Sequence, residues 1–133
     1  MSAVERRIEI RWSDLDASRH VNNAVYLSYL EEVRSEWLER VLGGRETVWD
    51  YVLAHVQIDF RRELTLEDRA VLARCELGRL GTASVRTSEE ILTEAGEVAA
   101  QAEAVLVARD PSTGRSRPLT TAERGAFGGA PTS

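Results

Sequence analysis

The residues best suited to chemistry are Asp16, His20 and Asn23, which lie close together directly before a helix-like pattern. A helix begins with unpaired backbone N–H groups and a positive partial charge, which together stabilise a developing oxyanion. A carboxylate, an imidazole and an amide at that end can supply a base or nucleophile, proton transfer and orientation of a carbonyl. Asp and Asn before a helix also serve as plain caps or turn residues, so both interpretations stay open on these residues alone.

The helix that follows is predicted over residues 24–42. Apolar side chains recur there at spacings of four and three, at Tyr26, Leu30, Val33, Trp37 and Val41. The charged side chains between them are expected on the solvent side: Glu31, Glu32, Arg34, Glu36, Glu39 and Arg40. Asn22 or Asn23 can cap the start, and Gly43-Gly44 can end the helix. At 1.5 Å per residue its length is roughly 28 Å, enough to cross a small domain.

Five segments alternate like strands, one before the helix and four after it: residues 8–12, 52–60, 71–77, 82–92 and 97–109. In the second, one face is expected to carry Val52, Ala54, Val56, Ile58 and Phe60. Short glycine-bearing connections at 78–81 and 94–96 favour antiparallel neighbours. The helix must bury its apolar stripe on this sheet, so the sequence predicts a two-layer α+β domain.

Length and composition exclude several classes of protein. The 133 residues fit one domain, and no apolar run approaches the ~18 residues of a membrane-spanning helix. The N-terminus has no signal-peptide core, so the chain is expected in the cytoplasm. A net charge of −5 argues against nucleic acid as a partner. All 17 basic residues are arginine, which excludes a lysine Schiff base.

The cysteine and histidine content excludes a zinc cluster. Cys75 is the only cysteine and has no partner for an internal disulfide, and His20 and His55 are the only histidines. Binding of a metal ion by Asp14, Asp16 and His20 lacks a recognised ligand spacing. We therefore predict no metal. Cys75 alternates with core residues and is expected to be a buried thiol.

The segment RWSDLDASRHVNNAVYLSYLEEVRSEWL resembles the signature of the hotdog-fold acyl thioesterases, in the 4-hydroxybenzoyl-CoA thioesterase-like family. Its HVNN form is similar to the fatty-acyl branch, whereas ASR after the acid departs from the benzoyl-specific members. Weaker similarity continues to about Arg124, which suggests a domain over 1–124 and a flexible tail over 125–133. The resemblance implies a hotdog fold, in which a five-stranded antiparallel sheet wraps around one long central helix.

The resemblance also implies an activity, the hydrolysis of an acyl-CoA thioester without a cofactor. Asp16 matches the catalytic carboxylate, which attacks the thioester carbonyl or activates water. A backbone N–H near Asn23 would polarise that carbonyl, and His20 and Asn23 would orient substrate or water. Acyl carrier protein as the carrier stays open, as do the acyl chain length and a non-catalytic protein that binds acyl thioesters. A hotdog dehydratase is disfavoured because its usual His-centred segment is missing.

Substrate contacts are implied at seven further positions: Tyr26 in the acyl pocket, Arg61, Arg62 and Arg79 at the phosphates of CoA, and Gly81, Thr82 and Ser84 along the pantetheine arm. Packing of the helix is the alternative for Tyr26, and solvated surface positions are the alternative for the arginines. Asp14 is expected in a turn or ion pair, and His55 on a surface or interface. Leu72, Val105 and Val107 lie on the sheet face that the helix leaves open, so we predict a homodimer or homotetramer. The resemblance places the active site at the subunit interface.

Overall fold

The computed structural model describes residues 3–44 and 46–128. Five strands form one antiparallel sheet: β1 (Val4–Glu9), β2 (Tyr51–Phe60), β3 (Ala70–Leu80), β4 (Ser84–Thr93) and β5 (Val98–Ala108). Their spatial order is β1-β3-β4-β5-β2, so β1 and β2 are the two edges. The long helix α1 (Asn23–Leu42) packs mainly on β1, β3 and β4. This is the hotdog fold that the resemblance implied, and the α+β prediction is confirmed.

The bounds of α1 follow from its caps. The Asn22 side chain accepts a hydrogen bond from the Ala24 amide at 2.8 Å, and Gly43 closes the helix in the left-handed conformation at φ 59°. The buried face contains the apolar residues of the predicted stripe, and Leu30, Val33 and Trp37 are fully buried. Among the described residues, no helix is long and apolar enough to cross a membrane.

Three side chains depart from the predicted pattern. Trp12 does not continue the first strand, because the strand ends at Glu9 and Trp12 begins a 3-10 turn, where it is 80% exposed. Arg34, expected on the solvent side of α1, is buried and forms an ion pair with Glu89 on β4. In β2 a bulge lies between Leu53 and His55. A one-residue slip moves every following side chain to the other face of the sheet. Val52 and Val56, predicted on one face, therefore point to opposite faces.

The C-terminal segment also differs from expectation. A short helix, α2 (Thr121–Ala126), follows the last strand, and Phe127 beyond it is only 1% exposed. The Phe127 ring lies 5.6 Å from Trp37 and 6.0 Å from Tyr51, measured between ring centroids. Folded chain therefore continues past the boundary expected after Arg124, because this aromatic ring fills the core between helix and sheet. Residues 129–133 of the expected tail lie outside the described part.

Candidate functional site

The loop between β1 and α1 is anchored by Asp14. Its Oδ2 accepts hydrogen bonds from the Arg11 amide at 2.9 Å and from the Tyr29 hydroxyl at 2.7 Å. Tyr29 lies in α1 and is buried, so these two bonds fix the 3-10 turn of the loop to the helix. Asp14 is therefore a turn residue whose carboxylate is occupied by the protein itself.

Asp16 occupies a tight turn and is exposed. Its amide donates to the His20 carbonyl at 2.9 Å, and its carbonyl accepts from the Arg19 amide at 3.0 Å. One carboxylate oxygen, Oδ1, accepts from both the amide and the hydroxyl of Ser18, at 2.9 and 2.5 Å. The hydrogen bond from the Ser18 hydroxyl lowers the pKa of Asp16 below its ordinary value. Backbone hydrogen bonds from Ser18 and His20 lower this pKa further, and the side chain is exposed, so an ionised carboxylate is presented at the surface of the chain.

The turn holds Arg19 in an unusual conformation. Its φ is +67°, in the left-handed region that residues other than glycine adopt at a cost of order 1 kcal/mol or more. The hydrogen bonds of Asp16 on both sides of Arg19 hold this geometry in place. The strain therefore lies in the segment that presents the carboxylate.

His20 is held beside the loop that connects β2 and β3. The backbones of His20 and Thr65 form an antiparallel bridge, and the Val21 amide donates to the Leu64 carbonyl at 2.8 Å. This pairing brings the His20 Nε2 to 3.3 Å from the Glu63 carboxylate. The sequence analysis did not select Glu63, because no local spacing links it to His20.

The start of α1 supplies an uncommitted amide. Asn22 is the cap, so Asn23 is the first helical residue, and its side chain is exposed. The Asn23 amide donates no hydrogen bond to any described residue, as expected for the first N–H groups of a helix. Asp16 and Asn23 thus lie at the same end of the fold, with His20 between them in the chain.

Tyr26 is buried, and its hydroxyl is fully used by the protein. It donates to the Arg62 carbonyl at 3.0 Å and accepts from the Leu64 amide at 3.1 Å. Its ring meets that of Phe60 edge to face, with centroids 5.1 Å apart. These contacts support the packing role, because Tyr26 ties α1 to the loop that also carries Glu63.

The three candidate arginines differ in how free they are. Arg62 is half-buried and donates to Asp68 at 3.1 Å, and Arg61 donates to Gln101 at 3.2 Å. Arg79 is exposed and has no side-chain partner among the described residues. Of the three arginines, Arg79 therefore has the side chain most available to contact a ligand.

The predicted site residues fall into two groups at opposite ends of the sheet. Asp16, His20 and Asn23 lie near the start of β3, together with Tyr26, Arg61 and Arg62. Arg79, Gly81, Thr82 and Ser84 lie at the turn from β3 to β4. At 3.3 Å per residue, β3 separates the two groups by roughly 33 Å. One chain alone does not bring them together.

A cleft of about 520 Å³ opens beside Ser18 and His20. It is lined by Trp12, Leu15, Ser18, Arg19, His20, Thr65, Leu66 and Glu67. Trp12 and Leu66 are 80% and 44% exposed, so apolar surface lies next to the polar turn. Sequence alone pointed to the polar turn but not to Leu66, which reaches the cleft from the β2–β3 loop.

Cys75 and His55 do not line this cleft. Cys75 is fully buried, and burial raises the pKa of its thiol well above the ordinary value, so it is not a nucleophile. His55 is exposed on the sheet face away from α1, opposite Val105. Across the described part of the chain, no group of three or more His, Cys, Asp or Glu residues is arranged to hold a metal ion.

Comparisons with known proteins agree on one family, the thioesterases. A family model described as the thioesterase-like superfamily matches residues 10–124. The long-chain acyl-CoA thioesterase FadM of Escherichia coli strain K12 is 31% identical over 123 residues, which cover 87% of this chain and 90% of the relative.

Solved structures agree in fold and in name. A thioesterase from Thermus thermophilus, in complex with coenzyme A and Zn, is 32% identical, with a TM-score of 0.83 and coverage of 92% of this chain and 90% of the other. The probable thioesterase YbaW of Escherichia coli is 30% identical, with a TM-score of 0.79 and coverage of 92% and 95%. The chain therefore belongs to the thioesterase-like superfamily, and the predicted thioester hydrolase of hotdog fold is confirmed.

Proposed function

We propose that this chain hydrolyses a fatty or related acyl-CoA to the free acid and CoA, with Asp16 as nucleophile or general base. The observation that carries the proposal is an exposed, ionised Asp16 in the loop that leads into the uncommitted Asn23 amide at the start of α1. The named activity of FadM and the CoA bound to the Thermus thioesterase support the substrate class.

The chemistry needs few groups, because a thiolate leaves readily. In the nucleophilic route, Oδ2 attacks the thioester carbonyl, the C–S bond breaks, and CoA departs as its thiolate. Water then attacks the resulting mixed anhydride, which releases the acid and restores Asp16. In the general-base route, Asp16 takes a proton from the water that attacks the carbonyl directly. In both routes the oxyanion accepts from the Asn23 amide, and a reference thiol pKa of about 8.5 removes the need for a strong acid.

A second subunit would complete the site. Substrate contacts are proposed at both ends of β3, roughly 33 Å apart, and a two-fold axis brings opposite ends of two chains together. The edge strand β2 supports this assembly, because Leu53 and Phe60 remain 46% and 44% exposed on the face of the sheet that α1 occupies elsewhere. We therefore expect a homodimer, alone or as half of a tetramer. A fully active monomer in sedimentation at micromolar concentration would contradict this.

Asp16→Asn tests the chemistry. The amide keeps the shape and can still accept from Ser18, but the charge and basicity are lost, so kcat should fall about 10²–10⁴-fold. Asp14→Asn is the matched control, because it makes the same charge change on a carboxylate whose acceptor role an amide retains.

The assay is thiol release from short-, medium- and long-chain and aromatic acyl-CoAs, with acyl carrier protein thioesters in parallel. Folding of each variant is checked by circular dichroism. An Asp16→Asn enzyme within threefold of the parent refutes the role of Asp16. Binding of acyl-CoA with no turnover by the parent chain would favour the non-catalytic alternative.

A further inference from the structure

The turn between β3 and β4 has all its carbonyl groups directed into the protein. Four consecutive carbonyl oxygens accept hydrogen bonds: Gly81 from the Arg124 guanidinium at 2.6 Å, Thr82 from the Leu119 amide at 2.9 Å, Ala83 from the Ala108 amide at 2.9 Å, and Ser84 from the Gly81 amide at 2.8 Å. Three of these donors lie outside the turn. The turn is therefore held by neighbouring chain segments as well as by its own sequence.

The orientation of the carbonyls decides where the amides point. In a trans peptide group the C=O and the following N–H point in opposite directions. Holding the Gly81 oxygen inward therefore turns the Thr82 N–H outward, and holding the Thr82 oxygen does the same for the Ala83 N–H. Neither amide donates to any residue of 3–44 or 46–128. Thr82 is exposed and Ala83 is half-buried, so this turn lies at the surface of the chain.

The surroundings favour a ligand that offers oxygen acceptors. Arg79 lies in the same hairpin, is exposed, and has no side-chain partner among the described residues. Adjacent outward amides form a concave donor site that binds anionic or strongly polar oxygens. At Gly81 a Cβ would collide with the Ser84 hydroxyl, so glycine is needed for the turn to close this tightly.

Arg124 is presented to this turn by α2, which is itself firmly fixed. The neighbouring Glu123 is 1% exposed and accepts from both Arg117 nitrogens, at 2.8 and 2.9 Å, and from the Tyr51 hydroxyl at 2.7 Å. A guanidinium donor also polarises the peptide group whose oxygen it contacts, which strengthens the N–H on the other side. The other terminal nitrogen of Arg124, Nη1, is buried and has no hydrogen-bond partner among the described residues. The side-chain hydrogen bond that the described part of the chain shows for Arg124 is therefore the one to the Gly81 carbonyl.

We propose that Arg124 is a positioning residue for the CoA portion of the substrate. Through the Gly81 carbonyl it fixes the outward Thr82 amide, which donates to an acceptor oxygen of that portion. The oxygen is either an amide carbonyl of the pantetheine arm or a phosphate. The inference rests on the proposed function for the identity of the ligand, but its central claim concerns binding and is measurable without turnover.

The test is calorimetric titration of the intact chain with coenzyme A, pantetheine and adenosine 3′,5′-bisphosphate. Arg124→Ala should weaken coenzyme A binding about tenfold, the effect of one well-made hydrogen bond. Arg124→Lys should recover part of the loss because it restores a cationic donor. Arg115→Ala is the matched control, since Arg115 is exposed in the same C-terminal segment and has no side-chain partner among the described residues.

The two smaller ligands identify the acceptor. If Arg124→Ala weakens the binding of coenzyme A and pantetheine but not of the bisphosphate, the acceptor is the amide carbonyl. If it weakens the binding of coenzyme A and the bisphosphate but not of pantetheine, the acceptor is a phosphate. In steady-state kinetics, Arg124→Ala should raise KM for acyl-CoA with kcat within twofold. It should leave the hydrolysis of the matching ethanethiol thioester, which lacks the whole pantetheine arm and the phosphates, unchanged.

Three results would overturn the inference. The Arg124→Ala variant could bind coenzyme A with the same affinity as the Arg115→Ala variant, or it could lose as much activity on the truncated thioester as on acyl-CoA. The third is a parent chain that binds none of the three ligands. If the Ala variant does not fold, Thr82→Pro, which removes the amide itself, takes its place, with Thr82→Ala as its control. Failure of the proposed function is separate, because it would appear as coenzyme A binding without thioester hydrolysis by the parent chain.

Discussion

Replacing Arg34 by methionine should destabilise the fold more than the loss of its packing alone predicts. Arg34 donates to both carboxylate oxygens of Glu89 at 2.8 Å, and the two residues are 5% and 1% exposed. After Arg34→Met, the carboxylate would keep, among the described residues, the Thr87 hydroxyl at 2.6 Å and a distant contact to the Cys75 thiol. Leaving a buried charge without its partner costs about 3–5 kcal/mol. That is a fifth or more of the ~5–15 kcal/mol that stabilise an ordinary domain.

The double variant separates the pair from its surroundings. Arg34→Met with Glu89→Met removes both charges and fills similar volume, so it should be at least about 2 kcal/mol more stable than Arg34→Met alone. Adding Thr87→Val removes the hydroxyl that would otherwise lose its acceptor. The free energy of unfolding is measured in urea at pH 7 and one fixed protein concentration, because subunit association would make it concentration-dependent. Additive effects in the cycle, or a single variant that costs less than about 1 kcal/mol, would refute this reasoning.

Two further predictions concern carboxylates with lowered pKa values. Burial opposes ionisation of Glu123, but hydrogen bonds from Arg117 and Thr120 bring its pKa down to about 2 from an ordinary 4.5. The ionised carboxylate therefore stabilises the fold fully above pH 4.5, and this stabilisation is lost as the pH falls towards 2. Thermal melts of Glu123→Gln should show a lower Tm than the parent at pH 7, with the gap narrowing below pH 4.5, and a constant gap would contradict the assignment. Ser18→Ala removes the hydroxyl that lowers the pKa of Asp16, so the acid limb of kcat/KM should move to higher pH, whereas Ser18→Thr should leave it in place.

The elements of the fold could be predicted because their signals are local. The apolar period of α1 and its flanking Asn22 and Gly43 gave its bounds to within a residue. The alternation in β3 placed Cys75 among core residues, and its side chain is fully buried. The sequence did not reveal the β2 bulge, because the apolar residues of this strand still alternate in the sequence when one residue is extra. The extra residue nevertheless changes which side chains face the helix.

Charges in the core were misplaced for a physical reason. A helical wheel places every arginine outward, but Arg34 has its acceptor on β4, 55 residues further along the chain. The same limit applies to α2, whose sequence is rich in small residues and is typical of a loose end. Its burial depends on Phe127, which packs against Trp37 and Tyr51 from distant elements. No pattern within the segment carries that information.

The two halves of the candidate site differ in the same way. Around Asp16 the geometry comes from hydrogen bonds to Ser18, Arg19 and His20, which are two to four residues away. The residues that position this carboxylate therefore lie within the motif itself. At the β3–β4 turn, the direction of the Thr82 amide is set by Arg124, 43 residues from Gly81. A motif can therefore point to the carboxylate proposed to react but not to the group proposed to hold the substrate. It follows that substitutions in the C-terminal segment, remote from the motif in sequence, should alter KM, whereas those in the loop before α1 should alter kcat.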